Sequence, residues 1–403
     1  MHTCYAITAP GLERIAAAEL VGVGASVGAV EPGGVAFEAA PGILYAANLR
    51  LRTVSRIVVR AAHFRAAAFA ELEQAARKVP WARWATADGA VHFRVTSRRS
   101  RLYHEDAVAE RLEGALRAAL PGVTTVRAPS AADALDADVS RLPGVQRVLV
   151  RLVDDEVTIS VDSSGGLLHR RGYRQATAKA PLRETIAAAL LLAMEWDGSA
   201  PLADPLCGSG TIPIEAALLA RGIPPGWQRR FAFERWPEFK PSVWDYVRGE
   251  AGKEMRDLAP APIVAADRDA GAMEACAANA RRAGVEDDLS MHRSALTTTL
   301  ASPELGAAGP GLVLTNPPYG LRVGESERLR DLYASLGNAL RGPLKDWSLG
   351  FLTPDPALAR AVGLGTGTAL DTESGGLRIR LHRLVRGKSV EAHPPSPHGG
   401  DDR

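Results

Sequence analysis

Pro201-Leu202-Ala203-Asp204-Pro205-Leu206-Cys207-Gly208-Ser209-Gly210-Thr211 runs from an apolar segment through a glycine turn into Ile212 to Ala220, a stretch of helical character. This succession reads as strand, tight turn and helix N-terminus. It is the unit that opens a parallel α/β sheet and forms a pocket for a nucleotide-like ligand. The turn lacks the three-glycine spacing of dinucleotide sites, and no Gly-Lys-Ser/Thr follows to hold phosphates. A nucleoside without phosphates suits it better. Taken alone, Gly208-Ser209-Gly210 also fits a turn with no ligand.

The same alternation of helix and apolar strand continues downstream. A helix precedes the quoted stretch, over Leu182 to Glu195. Pro262 to Ala266 reads as the second strand and ends at Asp267, a carboxylate placed to accept both hydroxyls of a ribose. A helix N-cap is the other reading of Asp267. Ala270 to Ala283 follows as a helix, then Leu289 to Ser294 as a third strand. The fourth, Gly311-Leu312-Val313-Leu314, enters Thr315-Asn316-Pro317-Pro318-Tyr319-Gly320. There Asn316 offers a side-chain carbonyl, and Pro317 a main-chain carbonyl without an N–H to compete. The two accept both hydrogens of a planar exocyclic amine, Pro318 helps to fix the turn, and Tyr319 lays its ring on a nucleobase. An ordinary strand-end turn would also use Asn and Pro. A glycine turn, a strand-end acid and this loop at successive strand ends point together to a methyltransferase that uses S-adenosylmethionine. A helix over Glu325 to Leu340, a strand over Ser348 to Leu352 and a hairpin of Ala369-Leu370 with Leu377 to Leu384 close the sheet.

Upstream the pattern is α+β. Cys4 to Thr8 and Val35 to Glu38 read as strands, Leu12 to Leu20 and Ala46 to Leu51 as helical, and Arg50, Arg52, Arg56 and Arg60 as a solvated basic face. Val91 to Ser97 alternates with strand period and meets the basic loop Arg98-Arg99-Ser100-Arg101 before an amphipathic helix, Glu105 to Leu120. Val145 to Val153 and Glu156 to Val161 are strands joined by an Asp-Asp turn. His169-Arg170-Arg171-Gly172-Tyr173-Arg174 and Lys179 form a basic linker around one aromatic, suited either to a single RNA strand or to locking two domains together. The insertion Arg221 to Ala261, with its Phe231, Phe233, Trp236 and Trp244, reads either as a lid over a splayed base or as a satellite core.

The 403 residues allow two or three domains, and 46% hydrophobic with 23% charged residues is ordinary for a globular chain. Residues 1–176 hold 22 Lys and Arg against 18 Asp and Glu, so the net charge of +2 leans on the N-terminal half and hints at nucleic acid. Three scattered cysteines exclude a zinc site or disulfide framework, and no metal is expected. Nothing resembles a signal peptide or membrane span, so a cytoplasmic location is expected.

Pro10-Gly11-Leu12-Glu13, Asn48 to Thr53, Arg171-Gly172-Tyr173-Arg174, Ala180 to Glu184, Asp204 to Ala217 and Thr315 to Gly320 match a known pattern. Up to about residue 386 the chain resembles the THUMP-domain RNA guanine-N2 methyltransferases, the bacterial 23S rRNA type in a stand-alone form. The resemblance implies a Rossmann-like, seven-stranded class I methyltransferase domain behind a ferredoxin-like and a THUMP module. The divisions are 1–62 ferredoxin-like, 63–165 THUMP, 166–181 linker, 182–386 methyltransferase and 387–403 a disordered tail. It implies S-adenosylmethionine on Asp204, Cys207, Gly208, Ser209, Gly210, Thr211, Asp267, Arg268 and Ser294. The family usually has an acid at the Ser294 position, to hold the adenine amine. Asn316, Pro317, Pro318 and Tyr319 would hold the guanine, and Arg98, Arg99, Arg101, Arg170, Arg171, Arg174 and Lys179 the RNA. The expected partner is rRNA. A tRNA guanosine, an adenine-N6 DNA site and a non-catalytic RNA-binding or ribosome-assembly role stay open, as does the oligomeric state.

Overall fold

The computed structural model describes residues 1–127, 144–175, 182–319 and 326–386. Lys179, the Ala180-Pro181 signature, Gly320 and the 387–403 tail lie outside the described residues.

The N-terminal half is one mixed sheet. Its strands are β1 (His2–Thr8), β2 (Ser26–Glu31), β3 (Gly34–Ala39), β4 (Val54–Arg65), β5 (Ala90–Arg98), β6 (Thr124–Thr125), β7 (Val145–Val153) and β8 (Glu156–Asp162). They lie in the order β2-β3-β1-β4-β8-β7-β5-β6. The division expected at residue 62 falls inside β4, which pairs with β1 along one edge and β8 along the other. A strand of 12 residues is long enough to serve both neighbours. Alternate residues such as Ile57, Val59, Phe93, Val95, Val148 and Val150 face one shared core.

The solvated face expected of Arg50 to Arg60 is only partly present. Arg56 is buried and pairs with the buried Asp162. Arg52 donates to the carbonyl of Ile223 at 2.8 Å, across to the other half. A charge spacing of two to four does not distinguish a helix surface from a strand that buries alternate side chains.

The second half contains β9 (Leu202–Asp204), β10 (Ile263–Asp267), β11 (Leu289–Arg293), β12 (Leu312–Thr315), β13 (Ser348–Thr353), β14 (Gly367–Ser374) and β15 (Leu377–Leu384). Their order is β11-β10-β9-β12-β13-β15-β14. β9 to β13 are parallel, and β15 is antiparallel to both β13 and β14. β9 ends at Asp204 because Pro205 has no N–H for the ladder. The chain winds outward from β9 to β11, then returns to β12 on the other side of β9. That reversal opens a crevice at the carboxyl ends of β9 and β12.

The insertion between β9 and β10 is not a lid. Phe231, Phe233, Trp236 and Trp244 are buried in the N-terminal core. Phe233 stacks on Tyr45 with ring centroids 4.4 Å apart, and the Trp236 indole donates to the Gln146 side chain at 2.8 Å. Burying this much aromatic surface in a core outweighs leaving it exposed to await a base.

The linker locks the two halves together. Arg171 is 4% exposed; it donates to the Arg52 carbonyl at 2.7 Å and pairs with Glu215 at 3.1 Å. The Tyr173 hydroxyl donates to Glu215 at 2.9 Å. Arg174 donates to the Leu182 carbonyl and to Glu184. Arg171 and Arg174 are therefore not RNA contacts in this arrangement: a buried guanidinium seeks acceptors inside the protein. Arg170 is half-buried.

Candidate active site at the sheet switch point

A cavity of about 920 Å³ fills the crevice, at the large end of the range for small-molecule sites. Its walls come from the ends of four successive parallel strands, so residues far apart in sequence converge there.

After β9, Asp204, Leu206, Cys207, Gly208, Ser209 and Thr211 line it. Gly210 caps the following helix, Thr211–Ala220, with φ of 85°, a conformation that suits glycine. It lies beneath the turn, where an added Cβ would stand 2.5 Å from Cys276 Sγ. Above Gly208 the space is open, with no atom within 4 Å of a Cβ position. Asn279, buried on the helix Ala270–Ala283, donates to the Ser209 carbonyl at 2.9 Å and pins the turn from behind.

After β10, Asp267 accepts from the Gly208 N–H at 3.1 Å and from the Asp269 N–H at 3.0 Å. The helix N-cap is Asp269, whose side chain accepts from Ala272 N–H, so the capping role sits two residues from the one considered. Asp267 and Arg268 both line the cavity.

After β11 the expectation fails at one point. Ser294 is not part of the wall; its hydroxyl pairs with Thr299 at 2.6 Å, and Ala295, Leu296 and Thr297 line the cavity instead. A short hydroxyl finds a partner within the next turn, whereas an acid of greater reach would extend into the cavity.

After β12, Asn316, Pro317, Pro318 and Tyr319 all face the cavity. The Asn316 Oδ1 is buried and has no hydrogen-bond partner among the described residues. Such an acceptor calls for a donor from a ligand. Burial raises the Tyr319 hydroxyl above its ordinary pKa, so the ring stands neutral.

Arg328, Leu329, Leu332 and Ser335 complete the wall from the helix Ser326–Arg341. Sequence reading missed them. Their spacing of one, four and seven residues marks one helix face, but nothing in that pattern says which cavity the face meets.

Asp204 is buried, and its carboxyl accepts from the Thr315 hydroxyl at 2.6 Å and from Leu206 N–H at 3.2 Å. Desolvation outweighs these bonds and raises its pKa to about 7. An unfolded Asp titrates near 3.9, so the folded state binds the extra proton. That stabilisation is complete below about pH 4 and is lost as pH rises through about 7. The melting temperature of Asp204→Asn relative to wild type should climb between roughly pH 4 and 7 and level off above. Paired thermal melts across that range check this; a constant difference would contradict it.

The arginines expected to hold RNA separate by geometry. Arg98, Arg99 and Arg101 are all exposed at the end of β5; Arg99 makes a two-pronged pair with Asp154 at 2.8 Å, and Arg101 stands 4.0 Å from Asp155. Among the described residues, no group of three His, Cys, Asp or Glu could hold a metal ion, and no helix is long and apolar enough to cross a membrane.

The RMKL-like methyltransferase domain family matches residues 171–376, and the RlmL ferredoxin-like domain matches residues 3–58. The chain is 36% identical to the ribosomal RNA large subunit methyltransferase K/L of Syntrophotalea carbinolica, over 93% of this chain and 52% of that one. It spans about half the length of the K/L relatives it matches first. Against the "Putative RNA methyltransferase slr0064" of Synechocystis it is 32% identical, covering 94% of this chain and 95% of the relative. Two solved structures superpose on it over 96% of its length. One is named a "predicted N6-adenine-specific DNA methylase" from Listeria monocytogenes (TM-score 0.83, 30% identity, 96% of that chain). The other is named "SMU.472, a putative methyltransferase complexed with SAH" (TM-score 0.81, 27% identity, 99% of that chain). The α/β class, with a Rossmann-like methyltransferase half and an N-terminal ferredoxin-like unit, is thus the fold expected from the sequence.

Proposed function

Because the chain belongs to the RMKL-like methyltransferase family, we propose that it transfers a methyl group from S-adenosylmethionine to the exocyclic N2 amine of a guanosine in 23S rRNA. The observation that carries the proposal is the buried Oδ1 of Asn316, without a partner among the described residues, in a cavity shared with the glycine turn and Asp267. The names of the full-length and half-length relatives and the basic N-terminal half support RNA over DNA. On this reading residues 63–165 are the THUMP module, which shares its sheet with the ferredoxin-like piece.

The residues fit the donor. Open space above Gly208 admits a ligand close to the backbone. Among the described residues the wall presents three carboxyls, Asp204, Asp267 and Asp269, and no lysine for phosphates. Asp267, already bonded to the turn through one lone pair on each oxygen, keeps the remaining lone pairs for ribose hydroxyls. Ala295 to Thr297 and Leu332 would wall the adenine, taking the place assigned to Ser294. When bound, S-adenosylmethionine supplies an electrophilic methyl on a cationic sulfonium that departs as a neutral thioether.

The chain's own contribution is orientation. Asn316 Oδ1 and the Pro317 carbonyl accept the two amine hydrogens and so aim the nitrogen lone pair along the line of attack. Tyr319 stacks on the ring and fixes its tilt. A base inside a helix cannot reach this crevice, so the guanosine must be flipped out or unpaired.

The test incubates the purified full chain and a radiolabelled methyl donor with protein-free 23S rRNA, bulk tRNA and duplex DNA in parallel. Label in the rRNA alone is expected. Label in DNA alone, as the name of the Listeria structure would suggest, overturns the RNA assignment.

A further inference from the structure

The loop between β5 and the helix Glu105–Ala119 is held from within and decorated outside. Leu102 is 5% exposed and anchors it in the core. Ser97 donates its hydroxyl to the Leu102 carbonyl at 2.8 Å, and Asp155 accepts from Arg101 N–H at 2.7 Å. The Ser100 hydroxyl accepts from Asp155 N–H at 3.0 Å, while the Arg99–Asp154 pair closes the far side. Glu105, at the start of the helix, accepts from Ser97 N–H at 3.0 Å. These bonds occupy the inward groups and leave Tyr103 and His104 outside.

Tyr103 is 68% exposed, and its ring stands against His104 with centroids 4.1 Å apart. The ring surface that His104 leaves uncovered would gain free energy by stacking under a ligand. Arg98 and Arg101, close to it in sequence, are exposed, Arg101 at 78% with its guanidinium 4.0 Å from Asp155. We infer that Tyr103 and His104 form a stacking platform for an unpaired nucleobase of the RNA substrate, with Arg98 and Arg101 on its flanking phosphates. The inference rests on the RNA reading above and adds a contact remote in sequence from the methyl-transfer loop. Stacking accepts any base, because each has a π-face; charge then supplies affinity without sequence preference. The platform therefore grips an unpaired strand without reading its sequence. Because the loop is already ordered by its own hydrogen bonds, binding does not have to order it.

The test measures binding of a fluorescent single-stranded RNA oligonucleotide by the full chain, together with methylation kinetics on 23S rRNA. Tyr103→Ala should weaken RNA binding about ten-fold, within the range for loss of one base–aromatic stack, and raise KM with little change in kcat. Tyr103→Phe should bind within about two-fold of wild type, since the ring and not the hydroxyl stacks. Replacing Arg98 and Arg101 with Ala should flatten the salt dependence, whereas Tyr103→Ala should not. Thermal melts and SAH binding should be unchanged in every variant. A Tyr103→Ala chain that binds and methylates RNA like wild type overturns the platform alone and would leave the exposed ring to a protein partner. A wild-type chain that binds SAH yet methylates no RNA instead overturns the RNA reading and the platform with it.

Discussion

Asn316→Ala should lower the rate of methyl transfer by about 10²–10³-fold, the usual loss when one preorganised polar contact to the reacting group is removed. The reasoning starts from burial. Asn316 Oδ1 is closed off from solvent and has no partner among the described residues, so the fold holds an acceptor that a ligand donor would satisfy. A guanine amine is a donor of the right shape, with two hydrogens in one plane. With alanine in place the amine keeps one acceptor, Pro317, and its lone pair is no longer aimed. Misalignment of reacting atoms is expensive because positioning supplies most of the acceleration in a direct displacement. Asp267 and the glycine turn are untouched, so SAH affinity should stay within about two-fold of wild type. Single-turnover kinetics beside calorimetric SAH titration separate the two effects. Equal losses in both would remove Asn316 from the chemistry and make it a structural residue of the loop.

Glu215→Ala should destabilise the protein by about 3–5 kcal/mol, the range for breaking one partner out of a buried ion pair. Glu215 is fully buried on the helix that begins at the glycine turn. It faces Arg171 and Tyr173 from the linker. Arg52, from the N-terminal half, is pulled down to about 10 by burial and by the nearby charge of Arg171. Removing this anion leaves the Arg52 and Arg171 guanidiniums facing each other away from water, with Glu19 and Glu184 as the nearby carboxyls that remain. Arg171→Met combined with Glu215→Met should recover much of the loss, because an apolar pair of similar volume does not need the charges. Denaturant unfolding of the single and double variants decides this. A single variant as stable as wild type would show that solvent already reaches the cluster.

Much of this architecture was legible because it rests on local signals. The helix Ala270–Ala283 and the strands β7 and β8 fall where periodicity sets them, and the Asp-Asp turn between the strands has φ of 54° and 65° at Asp154 and Asp155. The segments after β9, β10 and β12 were readable for the same reason: glycine, proline and a terminal acid punctuate strands wherever the chain goes next. What escaped depends on long-range partners. β2 is an edge strand with almost no buried side chain, so Ser26 to Glu31 carries no alternation to detect. Arg171 and Arg174 are cations in a Gly-rich stretch, and their partners Glu215 and Glu184, 44 and 10 residues away, help to turn them inward. The same holds for Phe231 to Trp244, whose partner Tyr45 lies in another domain. Ser294 stands outside the cavity wall, with its hydroxyl on Thr299, a partner that strand periodicity does not reveal.

The most direct test of the central claim is chemical identification of the methylated nucleoside. Protein-free 23S rRNA treated with the wild-type chain and S-adenosylmethionine would be digested to nucleosides and analysed by mass spectrometry against synthetic standards, with Asn316→Ala as control. The expected product is N2-methylguanosine, strongly reduced in the control. A ring-nitrogen methylguanosine, or N6-methyladenosine, formed equally by both proteins would contradict the amine-holding role on which the whole assignment depends.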